Sequence, residues 1–408
     1  MSNTLLTIDE VTRESLRVAH ETTQFIATTD RQYDDSFGRT GAKIGTALRV
    51  RKPNRYVRTQ GSRVMDVQEQ SESATSITVA TQDHVDMRFN SVELALSIDE
   101  FSKRYIEPAV KVLVSGIESD YLAYATKQTY NLAGTAGTAL TDLSAFGSAR
   151  ALMNQGLAPK DGMRALQVDS VTMGGMVNGL KGLFQDSNQI KEQYREGMIG
   201  RTSGYDWYEN ERMWTLTNGS DVTGTLAAAA AVTDGGTAVT LASMAAAPAV
   251  GAVFTIPGVY ACHPETKASL GRLQQFTVTT ASTTLLAVSP GFFLTGAKKN
   301  VCSSTGADLA TTYFDSTALV PTFVGAASTS YIQQLAYHKE AFQFISADLP
   351  LMGDAQTCAR RVQDGLSMRV WKASDIRNDE MLMRIDILYG FAALRPEWAS
   401  RVIGSASA

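Results

Sequence analysis

The side chains that could perform chemistry are few, and their spacing matches no common active site. The four histidines stand at positions 20, 84, 263 and 338, and none has a second histidine four residues away, as a helical zinc site requires. The three cysteines, Cys262, Cys302 and Cys358, form no Cys-x-x-Cys pair. No Gly-x-Ser-x-Gly nucleophile elbow occurs. We therefore predict no catalytic residue, no metal site and no cofactor, and a protein that is not an enzyme.

The totals of the chain describe a globular protein without a general attraction for nucleic acid. Its 408 residues are 44% hydrophobic and 19% charged, which excludes the disordered class and predicts two or three domains. The net charge of −4 gives no overall positive field that would draw in DNA. The odd cysteine count fits a reducing compartment. We recognise no signal peptide and no apolar stretch long enough to span a membrane, so no membrane partner is expected.

The most distinctive charge pattern is a pair of opposed blocks. Residues 36–65 hold eight basic side chains and no acidic one, whereas residues 66–100 hold eight acidic side chains and one base, Arg88. Strand-like pieces at 55–58 and 84–90 are interleaved with these charges. The pattern predicts a long β-hairpin or extended loop with one basic and one acidic arm.

Two interpretations of the opposed charges stay open. In the first, the arms pair with each other across a solvated hairpin. In the second, the hairpin reaches over a neighbouring copy of the chain and pairs its charges there. Each exposed pair contributes at most about 1 kcal/mol, but an assembly of many copies repeats every contact. The candidate contact residues are Arg49, Arg51, Lys52, Arg55, Arg58, Arg63, Asp66, Glu69 and Glu72.

The longest helix of the chain is predicted directly after the hairpin, from residue 97 to about residue 131. Ser97 and Glu100 form a capping box at its start. Pro108 should kink or restart the helix, because proline lacks a backbone donor. Apolar residues then recur at helical spacing in two rows. One row is Phe101, Tyr105, Ala109 and Val112, and the other is Ile106, Val110, Leu113, Ile117, Tyr121 and Tyr124.

The rest of the chain predicts an α+β domain that an all-β module interrupts. Helices are predicted at 143–154, 170–184 and 187–195, with a strand at 164–168. Residues 216–304 are rich in Ala, Gly and Thr, and short strands at 221–226, 237–241, 252–257, 273–280 and 283–288 indicate a small barrel or sandwich. A helix-prone stretch at 328–342 follows, and then strands at 366–372 and 381–394. Alternation between residues 384 and 389 predicts a half-buried strand.

Five stretches of the sequence, in this order, carry a resemblance to a known family. They are the helix at 97–127 after the acidic arm, Arg195-Glu196-Gly197-x-x-Gly200-x-x-x-Gly204-Tyr205-Asp206, residues 251–259 with 275–278, His338-Lys339-Glu340-Ala341-Phe342 with Asp348-Leu349-Pro350, and Arg384-Ile385-Asp386-Ile387-Leu388-Tyr389-Gly390 with Leu394-Arg395-Pro396-Glu397-Trp398-Ala399. Together they resemble the major capsid (coat) proteins of tailed bacteriophages with the HK97-like fold. The likeness is to the branch with an inserted β-domain, the podovirus-type coat proteins.

The resemblance implies a division of the chain into capsid segments. Residues 1–35 would form the N-terminal arm, 36–96 the extended loop, and 97–139 the spine helix of the peripheral domain. Residues 140–215 would begin the axial domain, 216–304 would form the inserted β-barrel-like domain, and 305–408 would return to the axial and peripheral domains. The expected fold class is α+β.

The resemblance also implies a function and its partners. The chain is expected to self-assemble, with a scaffolding protein, into an icosahedral procapsid of hexamers and pentamers that matures around packaged double-stranded DNA. A portal protein is a further expected partner, and DNA would be enclosed without sequence-specific binding. Assembly would take place in the bacterial host cytoplasm, and the product would be the virion capsid. The alternatives are a β-rich phage tail or adhesin-type binding protein, and a nanocompartment shell protein.

Overall fold

The structure, a computed structural model, combines many strands with few helices, as the predicted α+β class requires. It describes residues 8–34, 47–61, 65, 67–68, 73–90, 102–180, 200–223, 225, 232–242, 244–314, 319–351, 357–363, 365–375 and 380–406. Within this part the chain divides into two compact units. The first unit comprises Met1–Val50, Ala74–Tyr121 and Phe342–Leu394, and the second comprises Arg51–Ser73, Leu122–Ala341 and Arg395–Ala408.

The described residues form the following elements. The helices are α1 Ile8–Thr22, α2 Phe25–Thr28, α3 Glu107–Gln128, α4 Ser144–Gln155 and α5 Ser170–Leu180; a π-helical turn, Ser102–Ile106, precedes α3, and 3-10 turns lie at Thr311–Phe314, Lys339–Ala341 and Pro396–Trp398. The strands are β1 Asp30–Asp34, β2 Ala47–Lys52, β3 Ser73–Thr78, β4 Thr81–Asn90, β5 Leu132–Ala133, β6 Arg164–Val168, β7 Arg201–Thr202, β8 Tyr205–Glu209, β9 Thr215–Thr217, β10 Gly236–Thr240, β11 Val253–Cys262, β12 Ser269–Ala281, β13 Leu285–Phe292, β14 Val301–Cys302, β15 Thr322–Phe323, β16 Ser330–His338, β17 Phe342–Ala347, β18 Thr357–Gln363, β19 Leu366–Asp375, β20 Glu380–Ala393 and β21 Ala399–Ala406.

The first unit is built around β20, the longest strand of its six-stranded sheet. β20 pairs antiparallel with β4 along Glu380 to Tyr389, with β19 along Glu380 to Asp386, and with β17 at its end. β1 joins the sheet in parallel beside β17, and β18 pairs with β19. The prediction of a half-buried strand at residues 384–389 is wrong. Ile385 and Ile387 on one face and Asp386 and Leu388 on the other are all buried, because both faces of the sheet are covered.

The predicted long helix is present as the π-helical turn followed by α3. Pro108 is the second residue of α3, where its missing N–H breaks no helical hydrogen bond, so the proline restarts the helix as predicted. The second apolar row is buried at Ile106, Val110, Leu113, Ile117 and Tyr121. The first row is not, since Val112 is 68% exposed. Ser97, Glu100 and Phe101 lie outside the described residues.

The N-terminal segment is held on the first unit by one buried carboxylate. Glu118, on α3, is fully buried, and its Oε1 accepts the backbone N–H groups of Gln24, at 2.6 Å, and Phe25. These donors stand at the start of α2, where a helix leaves N–H groups without partners. The Phe25 ring packs 4.7 Å from the Tyr121 ring, between their centroids.

The second unit contains two sheets. In the first, the strand order is β5-β21-β16-β6-β8-β7, with β9 beside β16. The helix predicted at 328–342 is wrong, because residues 330–338 form β16 in the middle of this sheet. β16 is buried on both faces, so its residues lack the alternation by which a strand is recognised. The predicted strand at 164–168 and helix at 143–154 are confirmed by β6 and α4, and the helix at 170–184 is described as far as Leu180.

The other sheet of the second unit has the order β10-β13-β12-β11-β14, with β15 beside β11. Four of the five short strands predicted from the Ala, Gly and Thr-rich composition are confirmed as β10 to β13. The fifth, at 221–226, is wrong for residues 221–223, where Asp221 accepts the N–H groups of Thr223 and Ala245 and fixes a turn. Phe292 and Leu294 are buried in the apolar core of this sheet.

Candidate intersubunit contact surface

The sequence-predicted contact residues lie on β2 and on the segment that follows it. Arg49, Arg51 and Lys52 belong to β2, which pairs with β3 in a two-stranded sheet. Arg55 and Arg58 follow in residues 53–60, where the chain has no regular structure, so the strand predicted at 55–58 is wrong. Pro53 starts this segment and has no N–H for a ladder. The remaining candidates, Arg63, Asp66, Glu69 and Glu72, lie outside the described residues.

A side-chain amide joins the outgoing and returning parts of this loop. Gln68 accepts the backbone N–H of Val57 at 2.8 Å and donates to the carbonyl oxygen of the same residue at 2.5 Å. The amide therefore takes the place of a strand partner at this one position. Arg58 is held locally, by a 2.7 Å hydrogen bond from Nη2 to the side-chain oxygen of Gln60.

The same loop exposes large apolar side chains. Tyr56 is 57% exposed, Val67 78% and Met65 85%. An exposed apolar side chain of this size is usually isolated on a protein surface. Several of them on one loop that also carries arginines are typical of a surface that another protein covers.

Near the base of the loop, basic side chains surround one carboxylate, and we name Lys52, Arg55, Arg395 and Glu397 the Glu397 cluster. Arg55 Nη2 lies 3.5 Å from Glu397 Oε1. Burial lowers the pKa of Lys52; the Glu397 carboxylate opposes this, and the charges of Arg395 and Arg55 lower the pKa further. The Arg395 guanidinium lies 4.1 Å from the centroid of the Trp398 ring, which orients it by a cation–π contact.

Two described carboxylates of the acidic block, Asp83 and Asp86, have partners on β20 of the same chain. Asp86, on β4, accepts a 2.7 Å hydrogen bond from Arg384 Nε on β20, and this bond is the main cause of its lowered pKa. Asp83 accepts a 2.8 Å hydrogen bond from the Tyr389 hydroxyl. Arg55 of the basic block likewise has its carboxylate partner at Glu397. Described charges from both blocks thus have partners elsewhere in the same chain.

Sequence reasoning missed Arg401, which is fully buried in β21 and has no carboxylate partner among the residues that the structure describes. Its Nη1 donates to the Gly251 carbonyl at 2.7 Å and its Nη2 to the Thr277 hydroxyl at 3.0 Å, while burial lowers its pKa to about 9. Beside it, the Gln275 side chain bonds both the N–H and the carbonyl of Leu132 at 2.8 Å. These bonds tie the β10–β15 sheet to β21 and β5. A lone cation followed by Val402 and Ile403 was the available signal in the sequence.

Potential metal ligands and thiols are two kinds of reactive group in the described part of the chain. No cluster of three or more His, Cys, Asp and Glu side chains that could hold a metal occurs among the described residues. Cys262 and Cys302 are buried free thiols, and burial is the main cause that raises the pKa of Cys262 to about 11. A thiol with a raised pKa is a poor nucleophile at neutral pH.

None of the described helices is both long enough and apolar enough to cross a membrane.

Comparison with solved structures finds similarity to several capsids. A structure from Mycobacterium phage Che8 is 11% identical with a TM-score of 0.44, over 93% of this chain and 90% of that chain. The capsid of the cyanophage P-SCSP1u is 11% identical with a TM-score of 0.42, over 93% and 87%. The mature capsid of bacteriophage PhiM1 is 10% identical with a TM-score of 0.43, over 94% and 87%. No curated protein matches the sequence.

The comparison with family models identifies the family of the chain. The family model described as P22 coat protein, gene protein 5, matches residues 66–404, which is most of the sequence. This match selects the coat-protein prediction over the tail, adhesin and nanocompartment alternatives. The chain therefore belongs to the P22 coat protein family and is a major capsid protein, a subunit of a bacteriophage capsid shell.

Proposed function

We propose that copies of this major capsid protein assemble, with a scaffolding protein, into an icosahedral procapsid of hexamers and pentamers. The procapsid forms in the host cytoplasm, incorporates a portal protein, and matures around double-stranded DNA that it encloses without reading its sequence. The net charge of −4 supports a container that does not neutralise its contents. The role is structural and requires no catalysis by the chain.

The observation that carries the assembly proposal is the exposed apolar and basic loop between β2 and β3. Burying Tyr56, Met65 and Val67 against another copy removes apolar surface from water, which favours association by about 25 cal/mol per Å². The flanking charges then fix the orientation of the contact more than its strength. We therefore assign the loop, with Arg49, Arg51, Lys52, Arg55, Arg58, Arg63, Asp66, Glu69 and Glu72, to the contact between subunits.

We also propose the HK97-like arrangement of segments, with residues 216–304 as an inserted β-domain. Its support is the separate apolar core of the β10–β15 sheet, in which Phe254, Phe276 and Phe292 pack together. The hydrogen bonds of Arg401 and Gln275 attach this sheet to β21 and β5. An intramolecular brace of this kind leaves the loop between β2 and β3 free to serve as the intersubunit contact.

Sedimentation velocity with negative-stain electron microscopy tests the assembly proposal directly. The chain is expressed alone and with a scaffolding protein encoded beside it. Closed shells, spirals or polyheads are expected in place of a 44 kDa species. A 44 kDa species under both conditions would overturn the proposal, and shells that contain cargo protein in place of DNA would favour a nanocompartment.

A charge reversal tests the role of the loop. The double variant Arg55→Glu/Arg58→Glu should keep the far-ultraviolet circular dichroism of the unassembled chain but block shell formation. The matched control is Lys160→Glu/Lys339→Glu, which reverses two exposed charges outside the loop. Normal shells from the loop variant would remove these arginines from the contact.

A further inference from the structure

The Glu397 cluster holds more positive charge than its carboxylate can neutralise. Lys52, Arg55 and Arg395 surround Glu397, and Glu397 is the one carboxylate among the described residues that acts on Lys52. A fourth cation, Lys267, lies close enough to Arg55 for their charges to repel. Its ammonium donates to two backbone carbonyls, those of Ala297 at 2.5 Å and Lys299 at 3.5 Å. Three cations therefore lie around one carboxylate, and Lys267 adds a further positive charge near Arg55.

This imbalance has a measurable electrostatic consequence. Burial is the main cause of the lowered pKa of Lys52 and of Lys267, and in both cases the Arg55 charge lowers it further. Half-buried cations repel one another more strongly than cations in water, because the local dielectric constant is lower. An anion placed among them would reverse the repulsion and gain charge-assisted hydrogen bonds from two guanidinium groups.

The cluster is open to a partner. The Arg55 side chain is 42% exposed and that of Glu397 27%, so an incoming group can reach both. The stack on Trp398 holds the Arg395 guanidinium in place, which reduces the conformational entropy lost on binding. Tyr56 and Val57 follow Arg55 directly and are exposed, so the cluster continues into an apolar surface.

We propose that the Glu397 cluster is a receptor for a carboxylate side chain of a second copy of this chain. The inference rests on the proposed function, which supplies the second copy. Charge complementarity supports it: the whole chain has 41 acidic and 37 basic residues, so the residues outside this basic cluster carry a net negative charge. The adjoining apolar side chains favour a protein surface over a free anion, because a small ion makes no favourable apolar contact with them.

Lysine labelling compares the cluster before and after assembly. Wild-type chain and purified shells are treated with acetic anhydride at neutral pH, and acetylation of each lysine is measured by mass spectrometry. Because its pKa is lowered, a larger fraction of the Lys52 amine is unprotonated in the unassembled chain than for an ordinary lysine. We expect its labelling to fall several-fold in shells, when a carboxylate binds it. Lys160, exposed and outside the cluster, is the reference.

Labelling in sulfate tests whether a free anion can occupy the cluster as well as a second copy of the chain does. The unassembled chain is labelled with sodium sulfate and with sodium chloride at equal ionic strength. Protection of Lys52 by sulfate equal to its protection in shells would mean that any dissolved anion satisfies the cluster, which overturns the assignment to a second copy. Strong protection in shells with little protection by sulfate supports it.

Two variants test the proposed receptor through their effect on shell formation. Lys52→Met should slow shell formation and weaken its dependence on salt, whereas the matched control Lys160→Met should not. Glu397→Gln, which removes the competing carboxylate, should lower the protein concentration at which shells form. Normal shells from Lys52→Met with unchanged Lys52 labelling in wild-type shells would overturn the receptor and leave the proposed function intact. Absence of wild-type shells would overturn both.

Discussion

Arg369 on β19 and Asp386 on β20 form a buried, bidentate ion pair. The Nε–Oδ1 distance is 3.0 Å and the Nη2–Oδ2 distance is 2.5 Å, and the side chains are 4% and 0% exposed. Asp386 also accepts a 2.9 Å hydrogen bond from Gln82, and Arg369 donates to the Pro350 carbonyl at 2.7 Å. With their hydrogen bonds in place, both charges are tolerated where the sheet of the first unit is covered on both faces.

Removing one partner of this pair should destabilise the unassembled chain strongly. Arg369→Met leaves the Asp386 carboxylate buried without its counter-ion, which should cost about 3–5 kcal/mol of unfolding free energy. The double variant Arg369→Met/Asp386→Leu should recover most of that loss, because no charge remains buried. Urea denaturation followed by circular dichroism measures both. The exposed pair of Arg17 with Glu14 is the control, and Arg17→Met should cost less than about 1 kcal/mol. Equal losses at the two arginines would contradict the expectation.

Two glycines of the first unit should respond to alanine in opposite directions. At Gly390, on β20, a Cβ atom would meet the carbonyl oxygen of Thr78 far inside contact distance, so Gly390→Ala should cost about 3 kcal/mol. At Gly116, on the exposed face of α3, a Cβ atom meets nothing within 4 Å. Gly116→Ala should therefore stabilise the chain by about 1 kcal/mol, since alanine favours a helix interior. Thermal unfolding of the two variants beside wild type gives the comparison, and a shift in the same direction for both would refute it.

Substitutions of Arg401 should show whether its charge or its hydrogen bonds matter more. Arg401→Lys keeps a buried cation but cannot bond Gly251 and Thr277 together with one planar group. Arg401→Met loses both bonds but removes the buried charge and its desolvation cost. We expect the lysine variant to have the lower Tm of the two. The reverse order would show that the hydrogen bonds, not the buried charge, dominate.

The pair between Asp86 and Arg384 should make stability depend on acid pH. The hydrogen bond from Arg384 lowers the pKa of Asp86 below its usual 3.8. A carboxyl whose pKa is depressed by folding stabilises the native state above the unfolded pKa, and that contribution is lost as the pH falls through the folded pKa. The Asp86 side chain is 57% exposed, so the contribution is at most about 1 kcal/mol.

The variant Arg384→Met isolates this contribution. At neutral pH it should be less stable than wild type, and the difference should shrink as the pH is lowered to about 3, because Asp86 is then increasingly protonated in both proteins. Urea denaturation across that range measures the difference. A gap that stays constant with pH would show that Arg384 acts through packing and not through its charge.

Local patterns in the sequence were enough for several elements. The row from Ile106 to Tyr121 repeats at helical spacing over many turns, so it predicts both a helix and its buried face. The strands β10 to β13 are separated by segments that contain proline, glycine or serine, which marks their ends without knowledge of their partners. These signals depend on neighbours a few residues apart, and the chain itself supplies that information.

Burial on both sides of a sheet removed the local signal elsewhere. β16 was predicted as helix because its residues do not alternate, and they do not alternate because sheet neighbours and covering layers bury both of its faces. β20 looked half-buried for a different reason: Asp386 alternates with Ile385 and Ile387, and its buried partner Arg369 cannot be recognised from the sequence. Only the position of a strand within its sheet decides this, and position is a property of the tertiary structure.

The partners of charged residues were decided by the tertiary structure alone. The sequence by itself determined an α+β coat protein, a basic block, an acidic block and their candidate contact residues. It could not show that Arg55 meets Glu397, more than three hundred positions away, or that Asp86 meets Arg384. Electrostatic attraction depends on the distance between two charges in space and not on their separation along the chain. Only folding therefore determines which charges meet.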